Sequence, residues 1–188
     1  MLWARFIDHS VARACLEPLL GGFLQERFVV SALPADGDGL QSRALAPMPM
    51  VFVGHKIRHG RRRFTLPQLT EGDELLTFQR GSQPHVSLLD LCRRHGVESP
   101  RVHTISSISA MVQLVEGGFG VATLPQAAVA RFTQRLPLKA LQCEARLAAL
   151  PIHLSWRDDP ASGVAAQVID SVLAFSPPMA SSKKSMKA

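Results

Sequence analysis

Two short segments of this sequence bring together residue types that bind anions. They are Gln79–Ser82 and Thr104–Ser107, and each stands where a predicted strand ends and a predicted helix begins. The first turn of a helix carries free N–H groups and the positive end of the helix dipole, and the small hydroxyl groups here add further donors. Such a site suits a carboxylate or a phosphate. Alternatively, Ser82, Ser106 and Ser107 only cap their helices, and the sequence leaves both interpretations open.

Metal binding and catalysis find less support. Cys92 and His95 are three residues apart, but no second pair at suitable spacing accompanies them, so His85 and His103 are read as ordinary histidines. The sequence has neither a Gly-x-Ser-x-Gly elbow nor the flanks of known thiol hydrolases around a cysteine. The glycines of 116–120 follow a helix and precede a strand, which is the reverse of a dinucleotide-binding fingerprint. We therefore predict no enzyme, no metal site and no cofactor.

Alternating strands and helices must position the two anion-binding segments. This alternation predicts an α/β fold with a mostly parallel sheet and helices on its faces. In such a sheet the turns that follow the strands lie at one carboxyl edge, where ligands are usually held. The predicted strands are 28–33, 49–54, 74–79, 101–104, 119–124, 136–141 and 151–156, and the predicted helices are 1–28, 83–95, 107–116, 126–132 and 162–175.

Capping residues support two of these helices. Ser82 is predicted to cap the helix over 83–95 and Gly96 to follow its end, while Ser106 is predicted to cap the next helix and Gly117-Gly118 to stop it. Between those limits four apolar residues recur at helical spacing and predict one buried stripe. They are Ile108, Met111, Val112 and Val115.

Composition limits the class of protein. The chain has 188 residues, of which 46% are hydrophobic and 19% charged, so it can bury a core. Its three cysteines lie far apart and do not form a disulfide framework, and the sequence carries neither a secretory signal nor a membrane-spanning run. We therefore expect a cytoplasmic protein with no membrane partner. The net charge of +6 resides largely in 56–63 and in the tail 183–187, which favours solvated loops over a DNA-binding groove.

Several segments resemble LysR-type transcriptional regulators. The run TISSISAMVQLVEGGFGVATLP (104–125) is similar to the phrase in which a helix ends at Val-x-x-Gly-x-Gly and feeds a strand closed by Leu-Pro. Residues 45–53 (LAPMPMVFV) resemble the strand that leads to the crossing between lobes, and 64–69 (FTLPQL) the short stretch after it. Residues 150–156 (LPIHLSW) resemble the returning strand. The resemblance covers roughly residues 20–175.

This resemblance implies two Rossmann-like lobes of the periplasmic-binding-protein type II, with a small effector between them. The first lobe is incomplete and comprises 1–54 and 151–176, the second comprises 55–150, and 177–188 form a disordered tail. The family would bind a small-molecule effector, form homo-oligomers and reach DNA through a helix-turn-helix that this sequence lacks. The effector contacts carried over by position are Arg80, Gly81, Ser82, Ser106, Ser107, Ile108, Thr123, Leu124 and Pro125.

Three other functions stay open beside an effector-sensing module. The sequence lacks the family's helix-turn-helix and first strand, and Val29 stands where the family usually has an aspartate, so a truncated, non-functional remnant is one alternative. A stand-alone binder of the solute-binding class is a second, although the missing signal peptide weighs against it. An enzyme on the same fold is a third, and it lacks any nameable nucleophile and base.

Overall fold

The computed structural model describes residues 28–60, 63–157 and 169–170. The predicted helix over 1–28 and the predicted tail over 177–188 lie outside the described residues, and so does most of the predicted helix over 162–175. Ile169 and Asp170 from that last segment are helical. The chain divides into two compact units, of which one is Met48–Leu150 and the other includes, among the described residues, 28–47 and 151–157.

The smaller described unit contains a three-stranded sheet. Its strands are β1 (Phe28–Ser31), β2 (Leu40–Met48) and β8 (Leu150–Arg157), in the order β1-β8-β2, and β1 runs antiparallel to β8. The hydroxyl group of Ser155 on β8, which is buried, lies 2.7 Å from the Ser42 hydroxyl on β2 and accepts a hydrogen bond from the Ala35 N–H. These bonds satisfy the one buried polar side chain of β8, and they join to it the loop between β1 and β2, at Ala35, and the strand β2, at Ser42.

The larger unit contains a mixed five-stranded sheet. Its order is β5-β4-β6-β3-β7, in which β4 runs parallel to β5 and β6 while β3 runs antiparallel to β6 and β7. The predicted parallel order therefore holds for three adjacent strands, and β3 reverses direction between β6 and β7. The five strands are β3 (Met50–His55), β4 (Glu74–Thr77), β5 (Val102–Thr104), β6 (Gly120–Pro125) and β7 (Leu138–Leu141).

Helices cover both faces of this sheet. On β4, Leu75 packs with one cluster of buried side chains and Leu76 with another, because successive side chains of a strand point to opposite faces. One cluster receives Leu69 and Leu88 from helices, and the other receives the predicted stripe from Ile108 to Val115, all of it buried as predicted. The helices are α1 (Leu66–Gly72), α2 (Gln83–Arg94), α3 (Ile108–Glu116) and α4 (Gln126–Phe132).

The helix ends correct two predicted caps. Helix α3 is capped by Ser107, whose side chain accepts a hydrogen bond from the Ala110 N–H, and not by Ser106. Ser107 has the extended backbone of an N-cap and lies three residues before that N–H, which is the spacing a cap requires. Ser82 holds the N-cap position of α2, but its side chain makes no capping hydrogen bond. Gly96 and Gly118 follow the ends of α2 and α3 with φ of +74° and +78°, as the predicted stops require.

Helix α1 was not predicted, although the sequence carries a signal for it. Thr65 and Gln68 form a reciprocal capping box, in which each side chain accepts a hydrogen bond from the backbone N–H of the other residue. Pro67 stands in the first turn, where the missing N–H costs nothing. The pattern Thr-x-x-Gln at 65–68, with Leu66 inside it and Leu69 after it, would have predicted this helix.

An ionic cluster around the buried Asp73 fixes the loop after β3. Asp73 accepts from His59 Nε2 at 2.9 Å and lies 3.3 Å from Arg58 Nε. Arg58 also donates to the carbonyl oxygens of Gly72 and Gly118, so it joins the loop after β3 to the ends of α1 and α3. The His59 ring lies on Gly54, where a Cβ would come within 2.6 Å of it.

Candidate functional site

The predicted site residues lie along one edge of the larger sheet. Thr77, at the carboxyl end of β4, is in register with Thr104 at the carboxyl end of β5. On its other side β4 pairs with β6 so that Leu76 faces Ala122, which places Thr123 beside Thr77. The turns that follow β4 and β5, and the end of β6, are therefore neighbours. The structure thus brings together the three segments that the sequence analysis selected.

Two oxygen atoms at the start of α2 have no hydrogen-bond partner among the described residues. They are Ser82 Oγ and Gln83 Oε1, and both atoms are inaccessible to solvent although their residues are only partly buried. The Gln83 amide nitrogen donates to the Ser87 hydroxyl at 2.9 Å, which leaves the oxygen on the opposite side. Buried polar atoms in native proteins almost always have partners. A ligand that reached this pair, which protein atoms cover in this structure, would supply the missing partners.

A buried hydroxyl pair lies next to the turn after β4. Thr123 Oγ1 is 2.9 Å from Thr77 Oγ1 and 3.4 Å from the Leu76 carbonyl oxygen, and both threonines are almost completely buried. The one Thr123 hydrogen is best placed to donate to Thr77, so the Thr77 hydrogen is not used in that bond. Thr123 was predicted as a site residue, whereas Thr77 and Gln83 were not. Their positions in the chain could have indicated them, because Thr77 ends β4 and Gln83 begins α2.

The other predicted site residues differ in what they expose. Arg80 is exposed, Gly81 has φ of +81°, and Ser106 lies exposed in the turn before Ser107. The side chain of Ile108 is buried among core residues. Leu124 packs in the same cluster and Pro125 is buried as well. Backbone groups and hydroxyl groups, and not these apolar side chains, therefore form the polar part of the edge.

The electrostatics of this edge favour an anion. Neither α2 nor α3 has an acidic residue in its first turn. Each N-terminus thus keeps the partial positive charge of its free N–H groups and of the helix dipole. The exposed guanidinium group of Arg80 adds a full positive charge at the turn before α2. These groups can hold a carboxylate or another small anion.

Thiol and metal chemistry are weak in the described part of the chain. Burial raises the pKa of the Cys92 thiol, against a smaller lowering by its backbone hydrogen bond, and burial likewise raises the pKa of the Cys143 thiol. Both groups are therefore held as thiols, the less reactive form. Cys15 lies outside the described residues. Among those described, no three His, Cys, Asp or Glu side chains are close enough to hold a metal ion, and no helix is long and apolar enough to span a membrane.

Comparison with known proteins gives one consistent result. The protein-family model described as the LysR substrate binding domain matches residues 23–176 of this chain. A probable hydrogen peroxide-inducible genes activator of Mycobacterium leprae is 32% identical over 130 residues, which are 67% of this chain and 41% of that protein. The chain thus spans well under two thirds of that relative's length.

Two solved structures show the same fold. The regulatory domain of CcmR from Synechocystis PCC6803, in complex with 2-PG, has a TM-score of 0.66 at 18% identity, over 93% of this chain and 81% of that one. CbnR, a LysR family transcriptional regulator, has a TM-score of 0.65 at 16% identity, over 92% of this chain and 58% of that one. These similarities confirm the predicted α/β fold class, the periplasmic-binding-protein type II.

Proposed function

The chain belongs to the family of LysR substrate-binding domains, and on that premise we propose that it is the effector-sensing module of a bacterial transcriptional regulator. The effector is a small anionic metabolite, held at the carboxyl edge of β4, β5 and β6. Its binding would change the geometry of the module, and a helix-turn-helix elsewhere in the whole regulator would convert that change into altered DNA binding. The match confirms the resemblance noted in the sequence.

The observation that carries this proposal is the unpartnered pair at the start of α2. Ser82 Oγ can donate to an anion and Gln83 Oε1 can only accept, so the best ligand presents both an anionic oxygen and a hydroxyl or amino group. The Thr77 hydrogen and the N-terminus of α3 stand at the same edge. Leaving such buried groups unpaired costs about 1–3 kcal/mol each, which a matching ligand would recover.

The proposed contacts follow the sequence prediction with two additions. Ser82 and the N–H groups at the start of α2 would hold the anionic oxygens, Gly81 would form the turn beside them with its φ of +81°, and Arg80 would attract the ligand. Ser106 and Ser107 would do the same at the start of α3, and the side chain of Ile108 packs into the core behind them. The segment Thr123–Pro125, at the end of β6, would form the third side of the effector site. Thr77 and Gln83 are added because their polar atoms lie at the same edge.

The whole protein's partners belong to the same proposal. We propose that the regulator is a cytoplasmic homo-oligomer that contacts operator DNA outside this module. The family is one of regulatory binding domains, and we assign this chain no catalytic activity.

The test is a ligand screen on the purified chain. Small carboxylates, hydroxycarboxylates, amino acids and phosphorylated acids are added one at a time, and thermal shift identifies those that stabilise the fold. Calorimetry then gives Kd for the best of them. A protein hydroxyl that donates a hydrogen bond to an anion contributes about 1.5–3 kcal/mol to binding. Ser82→Ala, which removes such a hydroxyl, should therefore weaken binding roughly 10- to 150-fold.

The control is Ser99→Ala, which removes an exposed hydroxyl from the loop before β5. It should leave both Kd and the melting temperature unchanged. If a carboxylate binds but Ser82→Ala and Ser107→Ala each leave its Kd at the wild-type value, the effector is held elsewhere and this site assignment is wrong. If no anion in the screen stabilises the protein, the anionic class itself is wrong.

A further inference from the structure

A groove of about 530 Å³ lies within the larger unit, on the other side of β3 from the candidate effector site. It exists because β7 is shorter than β3. The pairing of β3 with β7 covers Phe52 to His55, whereas its pairing with β6 continues to Met50. Met50 and Val51 therefore have β6 on one side and no strand on the other. The groove lies where a strand on the other side of Met50 and Val51 would otherwise be.

The chain after β7 is held away from β3 by a different partner. Phe64 donates its N–H to the Gln142 carbonyl at 2.8 Å and accepts from the Glu144 N–H at 2.9 Å, so it forms an isolated parallel bridge with Cys143. This bridge draws 142–144 away from β3, and Gln142 and Cys143 form one wall of the groove. The opening is thus fixed by backbone hydrogen bonds and not by the position of a loose side chain.

The groove is apolar on the inside and cationic at its rim. Its apolar lining includes Val51, Phe52, Leu141 and Leu147. The charged groups among its lining residues are two guanidinium groups, those of Arg63 and Arg146, and no carboxylate lines it. A volume of this size falls within the roughly 300–1,000 Å³ range of small-ligand sites.

The two arginines are available to a ligand. Arg63 lies 3.8 Å from the Glu144 carboxylate, and both side chains are mostly exposed, so that ion pair is weak. Arg146 is exposed and takes part in no ion pair of the described part of the chain. Gln126 and Gln142 add carboxamide groups at the rim, which can donate to a carboxylate.

We propose that this groove is a second ligand site, which binds a small organic anion with an apolar body, such as a medium-chain carboxylate. The apolar chain lies over Val51 and Leu147, and the carboxylate lies between Arg63 and Arg146. Two lining residues, Pro49 and Ala149, stand close to the points where the chain passes from this unit to the other, at 47–48 and 150–151. A ligand here would contact Pro49 and Ala149, each of which is one residue from the end of this unit.

The experiment uses octanoate as the probe and calorimetry on the 188-residue chain. The double variant R63Q/R146Q removes both charges from the groove, and Arg94→Gln removes one exposed charge from α2 as the matched control. Octanoate should bind the wild type, and because each exposed ion pair contributes about 0.2–1 kcal/mol, the double variant should weaken its Kd roughly two- to thirtyfold. Arg94→Gln should leave Kd unchanged.

The length of the ligand's alkyl chain tests the apolar lining of the groove. From butanoate to octanoate, affinity should rise by up to about fourfold for each added methylene group, because each one leaves water for the groove. Octan-1-ol, which lacks the charge, should bind more weakly than octanoate to the wild type and equally to both the wild type and R63Q/R146Q.

Three results would overturn the second site. The first is that octanoate fails to bind the wild type, and the second is that it binds R63Q/R146Q with the wild-type Kd. The third is that Ser82→Ala abolishes octanoate binding, because octanoate then occupies the candidate effector site. None of these results bears against the effector-sensing function, which depends on the response of Ser82→Ala to its own ligand.

Discussion

Gly120 is the residue at which a single added methyl group should do most damage to the fold. It begins β6 and lies opposite Glu74 on β4. A Cβ built on Gly120 would be 2.1 Å from the Glu74 carbonyl oxygen and 2.9 Å from its carbonyl carbon. Both atoms belong to backbone, so no side chain can rotate to make room. Gly120→Ala therefore requires the two backbones to move apart by about 1 Å, because real Cβ atoms essentially never come within 3.0 Å of such a neighbour.

The expected loss of unfolding free energy follows from the contacts that this separation would break. Glu74 is held on its far side, because Arg101 and His103 of the neighbouring strand segment bind its carboxylate at 3.0 and 2.9 Å. The strand β4 cannot shift without disturbing that pairing as well. Overpacking in a core costs about 1–3 kcal/mol, and each weakened ladder hydrogen bond about 1 kcal/mol more. We expect Gly120→Ala to lower the free energy of unfolding by about 3 kcal/mol.

The assay is urea unfolding followed by far-ultraviolet circular dichroism, with Gly72→Ala as the matched control. Gly72 is the last residue of α1, and a Cβ there would meet nothing within 4 Å. Because alanine lowers the entropy of the unfolded chain, Gly72→Ala should be neutral or should raise stability by about 0.4–1 kcal/mol. Equal urea midpoints for Gly120→Ala and the wild type would refute the register of β4 against β6.

Three further changes test the polar interior and the thiols. Asp73→Ala leaves the buried partner histidine and an arginine without their carboxylate and should cost about 3 kcal/mol in urea unfolding, whereas Asp90→Ala, in an exposed ion pair, should cost under about 0.5 kcal/mol. Thr123→Val removes the donor to Thr77 and should cost about 1–3 kcal/mol, and restoration of stability by Thr123→Ser would show that the hydroxyl is responsible. Because burial raises the pKa of the Cys92 thiol, alkylation of that residue by iodoacetamide, followed by mass spectrometry, should begin at higher pH than for a free cysteine. The same shift means that its contribution to stability is present at neutral pH and is lost as pH rises past the ionisation of the unfolded thiol, and a urea midpoint that rises between about pH 8 and 10 would contradict it.

The sequence by itself determined the elements that depend on short-range patterns. Helix α3 was predictable because its apolar residues recur at helical spacing and a glycine pair stops it. The three strands β4, β5 and β6 were predictable because apolar runs alternate with helices, and their parallel order placed the anion-binding turns at one edge. Strand β2, by contrast, was missed over Leu40–Ala44, where exposed polar side chains do not show the period of a strand that is buried on one face.

Only the tertiary structure decided which of the named groups lack partners. The sequence names Ser82 as a cap, and its hydroxyl caps nothing, because the orientation of a side chain depends on the packing around it. It also gives no sign that β3 runs against its neighbours or that it extends past β7, since strand pairing joins residues about 70 to 90 positions apart. The groove arises from those long-range contacts, and the ionic cluster at Asp73 arises because the loop after β3 folds back onto the end of α1. Local propensity cannot encode them, because each depends on backbone positions that distant segments fix together.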